Sequence, residues 1–361
     1  MARLNIKEDK AVKAELILEN GARFKGELFG CEKEAVGEVV FTTGMTGYQE
    51  SITDPASAGK IVTMTFPLVG NYGVNSIDME SDKAYMRALI VREVCDFPSN
   101  FRCERKLSDF MKENGVVGLS GIDTRELTKI IRQNGSMKGA IVIGDVSDEE
   151  AFAKINSLDN SGLVMGCTTK ESYVFSDDGD KHIAYIDLGT RKSMLKALAD
   201  RNCRVTVFPA DVKADDILAV NPDAVFVSSG PGDVHDIPAA VNTVKELIGK
   251  LPVYGISLGH HVISLALGGV SEKMKFGHHG GNHPVKEMES GRVYITSQSH
   301  DFVVSGFGDD VEITFKNVND GSCEGIRHKK YQVESVQFHP ESSPGPLDTD
   351  FIFDRFLGKE D

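Results

Sequence analysis

The chain has 361 residues, of which 40% are hydrophobic and 26% are charged. Such a composition is typical of a folded globular protein, and the length exceeds what one hydrophobic core normally supports, so we expect two domains. Forty basic against 54 acidic residues give a formal net charge of −14, which argues against binding to nucleic acid or to an anionic membrane surface.

The start of the chain and its cysteines indicate the compartment. Residues 1–8 lack the apolar segment of a signal peptide, and no stretch approaches the ~18 apolar residues of a membrane span. The six cysteines form no Cys-x-x-Cys pair and no metal-ligand spacing, so we expect idle or buried thiols in a reducing compartment. We therefore expect a cytoplasmic protein.

Residues 1–155 mix short alternating segments with frequent glycine, which predicts a β-rich domain. Residues 14–18, followed by Asn20-Gly21, are typical of a strand and a turn. A helix is predicted over residues 123–133, because a capping side chain precedes an apolar stripe and Asn134-Gly135 follows it. The polar residues 156–180 predict a linker.

Residues 181–361 alternate strands and helices, which predicts a mostly parallel sheet flanked by helices, because parallel neighbours need a crossover. All ten histidines lie in this part, so we assign the chemistry to it. Active sites of such sheets lie at the carboxyl ends of the strands. The predicted elements are strands at 182–188, 205–208, 224–228 and 252–256, and helices at 192–201, 239–250 and 260–267.

The sequence Gly255-Ile256-Ser257-Leu258-Gly259 joins a predicted strand to a predicted helix and predicts a nucleophile elbow. The tight turn of an elbow exposes its central side chain, here Ser257. Small flanking glycines allow backbone N–H groups to approach an oxyanion. A second loop, Ser229-Gly230-Pro231-Gly232, follows the preceding strand; it lacks the lysine of a P-loop, and it is either an oxyanion or substrate loop or an ordinary turn.

Near the C-terminus, residues 333–341 form a strand-like segment that contains His339 and Glu341. Two residues apart in an extended chain, these side chains project to the same face, so the carboxylate can orient the imidazole. With Ser257 they make a candidate set of nucleophile, base and orienting group. A surface ion pair is the alternative interpretation of the same spacing.

These motifs resemble those of known families. The second half resembles a class I glutamine amidotransferase domain, and the whole chain resembles the small subunits of carbamoyl-phosphate synthetase. The segments that carry the first resemblance are Ser229-Gly230-Pro231-Gly232-Asp233, Tyr254-Gly255-Ile256-Ser257-Leu258-Gly259-His260 and Gln337-Phe338-His339-Pro340-Glu341. Those that carry the second are residues 41–50, 99–102, 121–125, 275–280 and 343–346.

The resemblance implies an α/β fold, with a β-rich N-terminal domain and a C-terminal amidotransferase domain. It implies that an elbow cysteine attacks glutamine with help from His339 and Glu341, and that released ammonia passes through a tunnel to a large subunit. ATP and Mg²⁺ are then expected on that partner, and no cofactor in this chain. The implied substrate-binding positions are Gly230, Gly232, Leu258, His261 and Phe302.

The chain departs from the family pattern at five positions associated with attacking or holding glutamine: Gly44 replaces a serine, Ser257 the cysteine, His261 a glutamine, Ser299 an asparagine and Asp301 a glycine. A hydroxyl must lose its proton during attack, whereas a thiol is readily deprotonated near neutral pH. Each lost hydrogen bond to substrate costs about 1–3 kcal/mol, and an unpaired carboxylate would repel that of glutamine. We expect glutamine hydrolysis to be lost and the synthetase to depend on ammonia.

Two alternatives stay open. The chain is a serine hydrolase that uses Ser257, His339 and Glu341 on another amide or ester, or it is a purely structural or regulatory subunit. A metal site is not predicted, because adjacent histidines on a strand point to opposite faces and no recognisable ligand spacing is present. The histidines considered for such a site are His260, His261, His278, His279, His283 and His300.

Overall fold

The computed structural model describes residues 12–359. Residues 1–8, which lack the apolar segment of a signal peptide, lie outside the described residues. Within the described range, no helix has the length and apolar character needed to cross a membrane.

The N-terminal part contains a closed barrel, and its strand and helix bounds follow. In chain order they are β1 (Lys13–Leu18), β2 (Arg23–Gly30), β3 (Ala35–Thr42), α1 (Tyr48–Thr53), β4 (Lys60–Met64), β5 (Leu68–Val69), β6 (Ala88–Ile90), β7 (Glu93–Val94), α2 (Leu107–Glu113), β8 (Val117–Ser120), α3 (Thr124–Asn134), β9 (Met137–Ile143) and α4 (Asp148–Asn156). The barrel order is β1-β2-β8-β6-β4-β3-β9, and β5 and β7 form a separate two-stranded sheet. The predicted β-rich character of this part is confirmed.

Helix α3 shows how local sequence sets an element's ends. The Asp123 carboxylate accepts a hydrogen bond from the backbone N–H of Glu126 at 2.9 Å, which satisfies one of the free donors of the first turn. Leu127 and Ile131 are buried on one face, and Gly135, with φ of 99°, ends the helix. The helix begins and ends one residue later than predicted.

The segment predicted as a linker, residues 156–180, contains two elements of its own. They are a short helix α5 (Leu163–Cys167) and a strand β10 (Tyr173–Ser176). Strand β10 pairs antiparallel with a strand of the second sheet and forms its edge. The polar composition of residues 156–180 does not indicate this strand, because an edge strand is largely exposed and need not be apolar.

The C-terminal part is built on one large sheet. In chain order its elements are β11 (Lys181–Asp187), α6 (Lys192–Ala199), β12 (Cys203–Pro209), α7 (Ala214–Ala219), β13 (Ala224–Val227), α8 (Pro238–Leu247), β14 (Val253–Ile256), α9 (Leu258–Ala266), β15 (Val270–Glu287), β16 (Val293–Ser305), β17 (Val311–Asn317), β18 (Cys323–His328), β19 (Val333–Val336) and α10 (Phe351–Leu357). The sheet order is β10-β12-β11-β13-β14-β19-β18-β17-β15-β16.

Neighbouring strands from β12 to β19 in this order are parallel and carry helices on both faces. Alternate residues of β11 pack on opposite sides. Ile183 and Tyr185 join the core that contains α6 and α10, whereas Ala184 and Ile186 join the core that contains α7, α8 and α9. The predicted α/β class, with parallel strands between helices, is confirmed.

Beyond β19 the sheet continues as an antiparallel extension of β18, β17, β15 and β16. The extension folds back over the carboxyl ends of the parallel strands. An isolated bridge joins Ser297 of β16 to His339, which follows β19, and the His339 N–H donates to the Ser297 carbonyl at 2.9 Å. Residues 297–302 of β16 therefore lie beside the elbow.

Candidate active site

The elbow lies at the carboxyl end of β14. Ser257 has φ of 55° and ψ of −110°, a conformation that costs a residue with a side chain about 1–3 kcal/mol. Its N–H donates to the Val336 carbonyl of the neighbouring parallel strand at 2.9 Å. Helix α9 begins at Leu258, two residues before the predicted start, so the Leu258 amide has no acceptor within the helix.

Glycines surround the elbow because other backbone lies against it. A Cβ atom on Gly259 would meet the Val227 carbonyl oxygen at 2.2 Å, and one on Gly255 would meet the Gly259 carbonyl carbon at 2.8 Å. A Cβ atom on Gly230 would meet the Leu188 carbonyl oxygen at 2.2 Å. These contacts explain why glycine stands at positions 255 and 259 of the predicted elbow and at position 230 of the loop beside it.

His339 and Glu341 form a buried pair. His339 Nδ1 lies 2.7 Å from Glu341 Oε1, and both side chains are almost fully buried. The prediction of an extended segment up to residue 341 is wrong, since β19 ends at Val336, His339 forms an isolated bridge to Ser297, and Glu341 lies in the turn that follows. The bond places the imidazole proton on Nδ1 and leaves Nε2 as the free nitrogen.

A buried network connects this pair to the barrel. Arg191 Nη1 lies 3.4 Å from Glu341 Oε1, and Arg191 Nη2 lies 2.5 Å from Asp54 Oδ2. Burial alone would raise the pKa of Glu341, but His339 and Arg191 outweigh it and lower the pKa. Burial would also raise the pKa of Asp54, but Arg191 outweighs it and lowers the pKa. Both carboxylates are thus ionised at neutral pH.

Ser257 and His339 follow adjacent parallel strands, so the fold brings them to one edge of the sheet. Within residues 12–359, however, His339 Nε2 is buried and has no hydrogen-bond partner. The Ser257 hydroxyl is therefore not hydrogen-bonded to its candidate base. A base removes the proton of a nucleophilic hydroxyl through such a bond, at about 2.6–3.2 Å, and in many enzymes the bond tightens only when substrate is bound.

A cavity of about 510 Å³ opens over the elbow. Its described lining includes Ser257 and all the predicted substrate-binding residues, namely Gly230, Gly232, Leu258, His261 and Phe302. His339 and Glu341 are not among the described residues that line it. Their roles, like those of the lining residues, stay predictions.

Asp301 is paired, and the expectation of an unpaired carboxylate at this position is wrong. Asp301 Oδ2 lies 2.8 Å from Lys60 Nζ of the barrel, and Asp301 Oδ1 lies 2.8 Å from His279 Nε2. Although burial opposes ionisation, these two neighbours hold the pKa of Asp301 well below its usual value. Sequence reasoning missed Lys60, because no local pattern connects β4 to β16.

The other unusual positions also lie at or near the cavity. His261 is buried, and desolvation lowers its pKa to about 4, so its ring is neutral at pH 7. His261 Nδ1 lies 2.8 Å from Ser271 Oγ, and the ring meets Phe302 edge-on. Ser299 lines the large cavity and also a small neighbouring one that Gly44 lines.

Comparison with known proteins agrees with this architecture. Residues 16–141 match the family described as carbamoyl-phosphate synthase small chain, CPSase domain, and residues 184–359 match glutamine amidotransferase class-I. A carbamoyl phosphate synthase small chain from Clostridium perfringens is 51% identical over 96% of this chain and 99% of its own length. The chain belongs to the carbamoyl-phosphate synthase small-chain family.

Other members of the carbamoyl-phosphate synthase small-chain family are almost as similar. The small chain from Bacillus caldolyticus is 47% identical, with 96% of each chain covered. The pyrimidine-specific small chain from Bacillus subtilis is 44% identical, over 96% of this chain and 95% of its own length. The resemblance inferred from the motifs is confirmed.

Proposed function

We propose that this chain is the small subunit of a carbamoyl-phosphate synthase that uses free ammonia, and that it no longer hydrolyses glutamine. The observation that carries the proposal is the elbow itself. It presents the hydroxyl of Ser257, and this hydroxyl is not hydrogen-bonded to the buried His339 base.

The chemistry of the nucleophile supports this proposal. A cysteine thiol has a pKa of about 8.5 and is easily ionised beside a histidine, whereas a serine hydroxyl stays protonated until the base removes its proton. Serine triads succeed when nucleophile, base and substrate are held closely. Here the orienting half, His339 with Glu341, is in place, but the contact from base to nucleophile is not.

The residues of the cavity wall also support the proposal, because they bind glutamine weakly. Lys60 is the partner of Asp301, so its charge is already neutralised and does not attract the carboxylate of an amino acid. His261 presents a neutral ring in place of the amide that the family resemblance implies. These changes weaken glutamine binding in addition to the change of nucleophile.

The proposal includes a large subunit as the partner, with the barrel domain as the docking surface. ATP, Mg²⁺ and bicarbonate would be used on that partner, and this chain would supply no cofactor to the reaction. In this arrangement the small chain stabilises the large subunit.

The test uses the purified complex of this chain with its large subunit. Carbamoyl phosphate formation is measured with glutamine or with ammonium as the nitrogen source, and Ser257→Ala is the matched control. We expect ammonium to support synthesis equally in both complexes, and glutamine to support neither. Glutamine-dependent synthesis that Ser257→Ala abolishes would overturn the proposal.

The bond between His339 and Glu341 and the strained Ser257 backbone also favour a second candidate, a serine hydrolase that acts on another amide or ester. A fluorophosphonate probe distinguishes it. Labelling of the wild-type chain and not of Ser257→Ala would support a hydrolase. A purely structural or regulatory role is tested separately, by the rate of the large subunit with and without this chain.

A further inference from the structure

A second group of buried polar residues lies behind the cavity wall, in the antiparallel extension. It consists of His278 on β15, Gln298 and His300 on β16, and Glu324 on β18, and we call it the β15–β18 cluster. The register of β15 and β16 places His278 directly opposite His300. One ligand atom each from His278, His300 and Glu324 lies within 4.8 Å of the others.

Hydrogen bonds fix which nitrogen of each ring carries the proton. His300 Nδ1 lies 2.8 Å from the Phe302 carbonyl oxygen, which only accepts, so Nδ1 is protonated and Nε2 has the lone pair. His278 Nε2 lies 2.9 Å from Asp320 Oδ2, so this nitrogen donates to the carboxylate and Nδ1 faces the cluster. Metal-binding histidines are held in this way, with the far nitrogen donating to a carbonyl or carboxylate.

The two ring nitrogens that face the cluster converge on oxygen atoms. His300 Nε2 lies 2.7 Å and His278 Nδ1 lies 3.0 Å from Gln298 Oε1, and His278 Nδ1 lies 3.5 Å from Glu324 Oε1. Lone pairs that face one another at these distances repel unless a cation or a proton lies between them. Ligands of a tetrahedral Zn²⁺ ion are about 3.3 Å apart, close to the distances seen in this cluster.

Glu324 supplies the strongest reason for a cation. Its side chain is fully buried, and Asn317 Nδ2 donates to Oε1 at 2.9 Å. In the part of the chain that the structure describes, Glu324 Oε2 has no hydrogen-bond partner. A buried carboxylate is costly unless a positive charge compensates it.

We propose that His278, His300 and Glu324 bind a divalent cation of the Zn²⁺ type, with Gln298 Oε1 as a fourth ligand. Two nitrogen ligands with carboxylate and amide oxygens suit a borderline metal better than Ca²⁺ or Mg²⁺. The ion would join β15, β16 and β18 and would hold the part of β16 that contains Asp301 and Phe302 against the cavity. This inference does not depend on the nitrogen source.

The expectation that no metal site exists rested on adjacent histidines facing apart. That reasoning holds for His279, which contacts Asp301 instead. The second histidine comes from the opposite strand, a pairing that sequence spacing does not reveal. Burial lowers the pKa of His278, but its contacts with Glu324 and Asp320 outweigh burial and raise it, so without a metal a proton on this ring supplies a positive charge beside Glu324. Among the described residues, Glu324 Oε2 would still have no partner.

The test is metal binding by the full chain. Metal-free protein is prepared with a chelator and titrated with Zn²⁺ by calorimetry and with Co²⁺ by visible absorption. We expect one equivalent to bind per chain. Glu324→Gln and His278→Gln should each weaken binding by about a hundredfold, because each removes a ligand. The control His235→Gln, at an exposed histidine of another loop, should leave binding unchanged.

Zn²⁺ should also raise the Tm of the wild-type chain by about 5 °C at a hundredfold excess over Kd. Equal binding by wild type and Glu324→Gln would overturn the proposal, and so would failure of the wild type to bind one Co²⁺ with a change in its visible spectrum. If the variants do not fold, the wild-type titration and its Tm shift decide the question alone.

Discussion

Replacing Asp301 with asparagine tests the ion pair that connects the cavity wall to the barrel. Asp301 and Lys60 are 2.8 Å apart, and their side chains are only 8% and 11% exposed. Asp301→Asn leaves the Lys60 ammonium buried without its counter-charge. Removing one partner of a buried pair costs about 3–5 kcal/mol, so we expect the free energy of unfolding to fall by that amount.

Urea denaturation at pH 7 measures this loss, with two comparisons. Asp82→Asn removes the partner of Lys192 from an exposed pair, which should cost about 1 kcal/mol or less. The double variant Lys60→Met with Asp301→Leu should cost less than Asp301→Asn, because no unpaired charge remains.

The pH dependence gives an independent check. The pKa of Asp301 is lowered in the folded chain, so its contribution to stability is fully present above the unfolded value of about 3.9. It is lost as the pH falls below that value through the folded pKa. The difference between wild type and Asp301→Asn should therefore be constant from about pH 5 to 7 and shrink below about pH 4. A loss no larger than that of Asp82→Asn would refute the reasoning.

Three further substitutions have definite expected outcomes. Gly259→Ala should lower the free energy of unfolding by at least about 2 kcal/mol, because the new Cβ would meet a carbonyl oxygen at 2.2 Å. The control Gly166→Ala places its Cβ in open space and should change the free energy of unfolding by less than about 0.5 kcal/mol. Glu341→Gln should lower the free energy of unfolding by about 1–2 kcal/mol, because Arg191 would still be paired with Asp54 after Glu341 is neutralised. Thermal unfolding measures this change. Ser257→Cys alone should not restore glutamate release, since the other unusual residues that line the cavity, His261, Ser299 and Asp301, are unchanged; full recovery would contradict the account.

Local patterns predicted much of the fold and the elbow. The turn at Ser257 is predicted from the glycines at 255 and 259, although the backbone contact that requires Gly259 comes from Val227 on another strand. The alternation of strands and helices also predicted the parallel part of the sheet, because the hydrophobic period that distinguishes a strand from a helix is set by neighbouring residues.

What escaped prediction depends on pairing between distant segments. Lys60 reaches Asp301 because the barrel packs against β16, and Arg191 connects Asp54 to Glu341 across the same boundary. Neither pair has a spacing that sequence reasoning could detect. The edge strand β10 was missed because its exposed, polar surroundings are also typical of a linker.

Glutamate release by the wild-type complex with its large subunit, compared with the Ser257→Ala complex in the same glutamine solution, tests the central claim most directly. The account predicts that the two rates are equal and no higher than that of glutamine without enzyme, while ammonium still supports carbamoyl phosphate formation. Sustained release by the wild type that Ser257→Ala abolishes would contradict it.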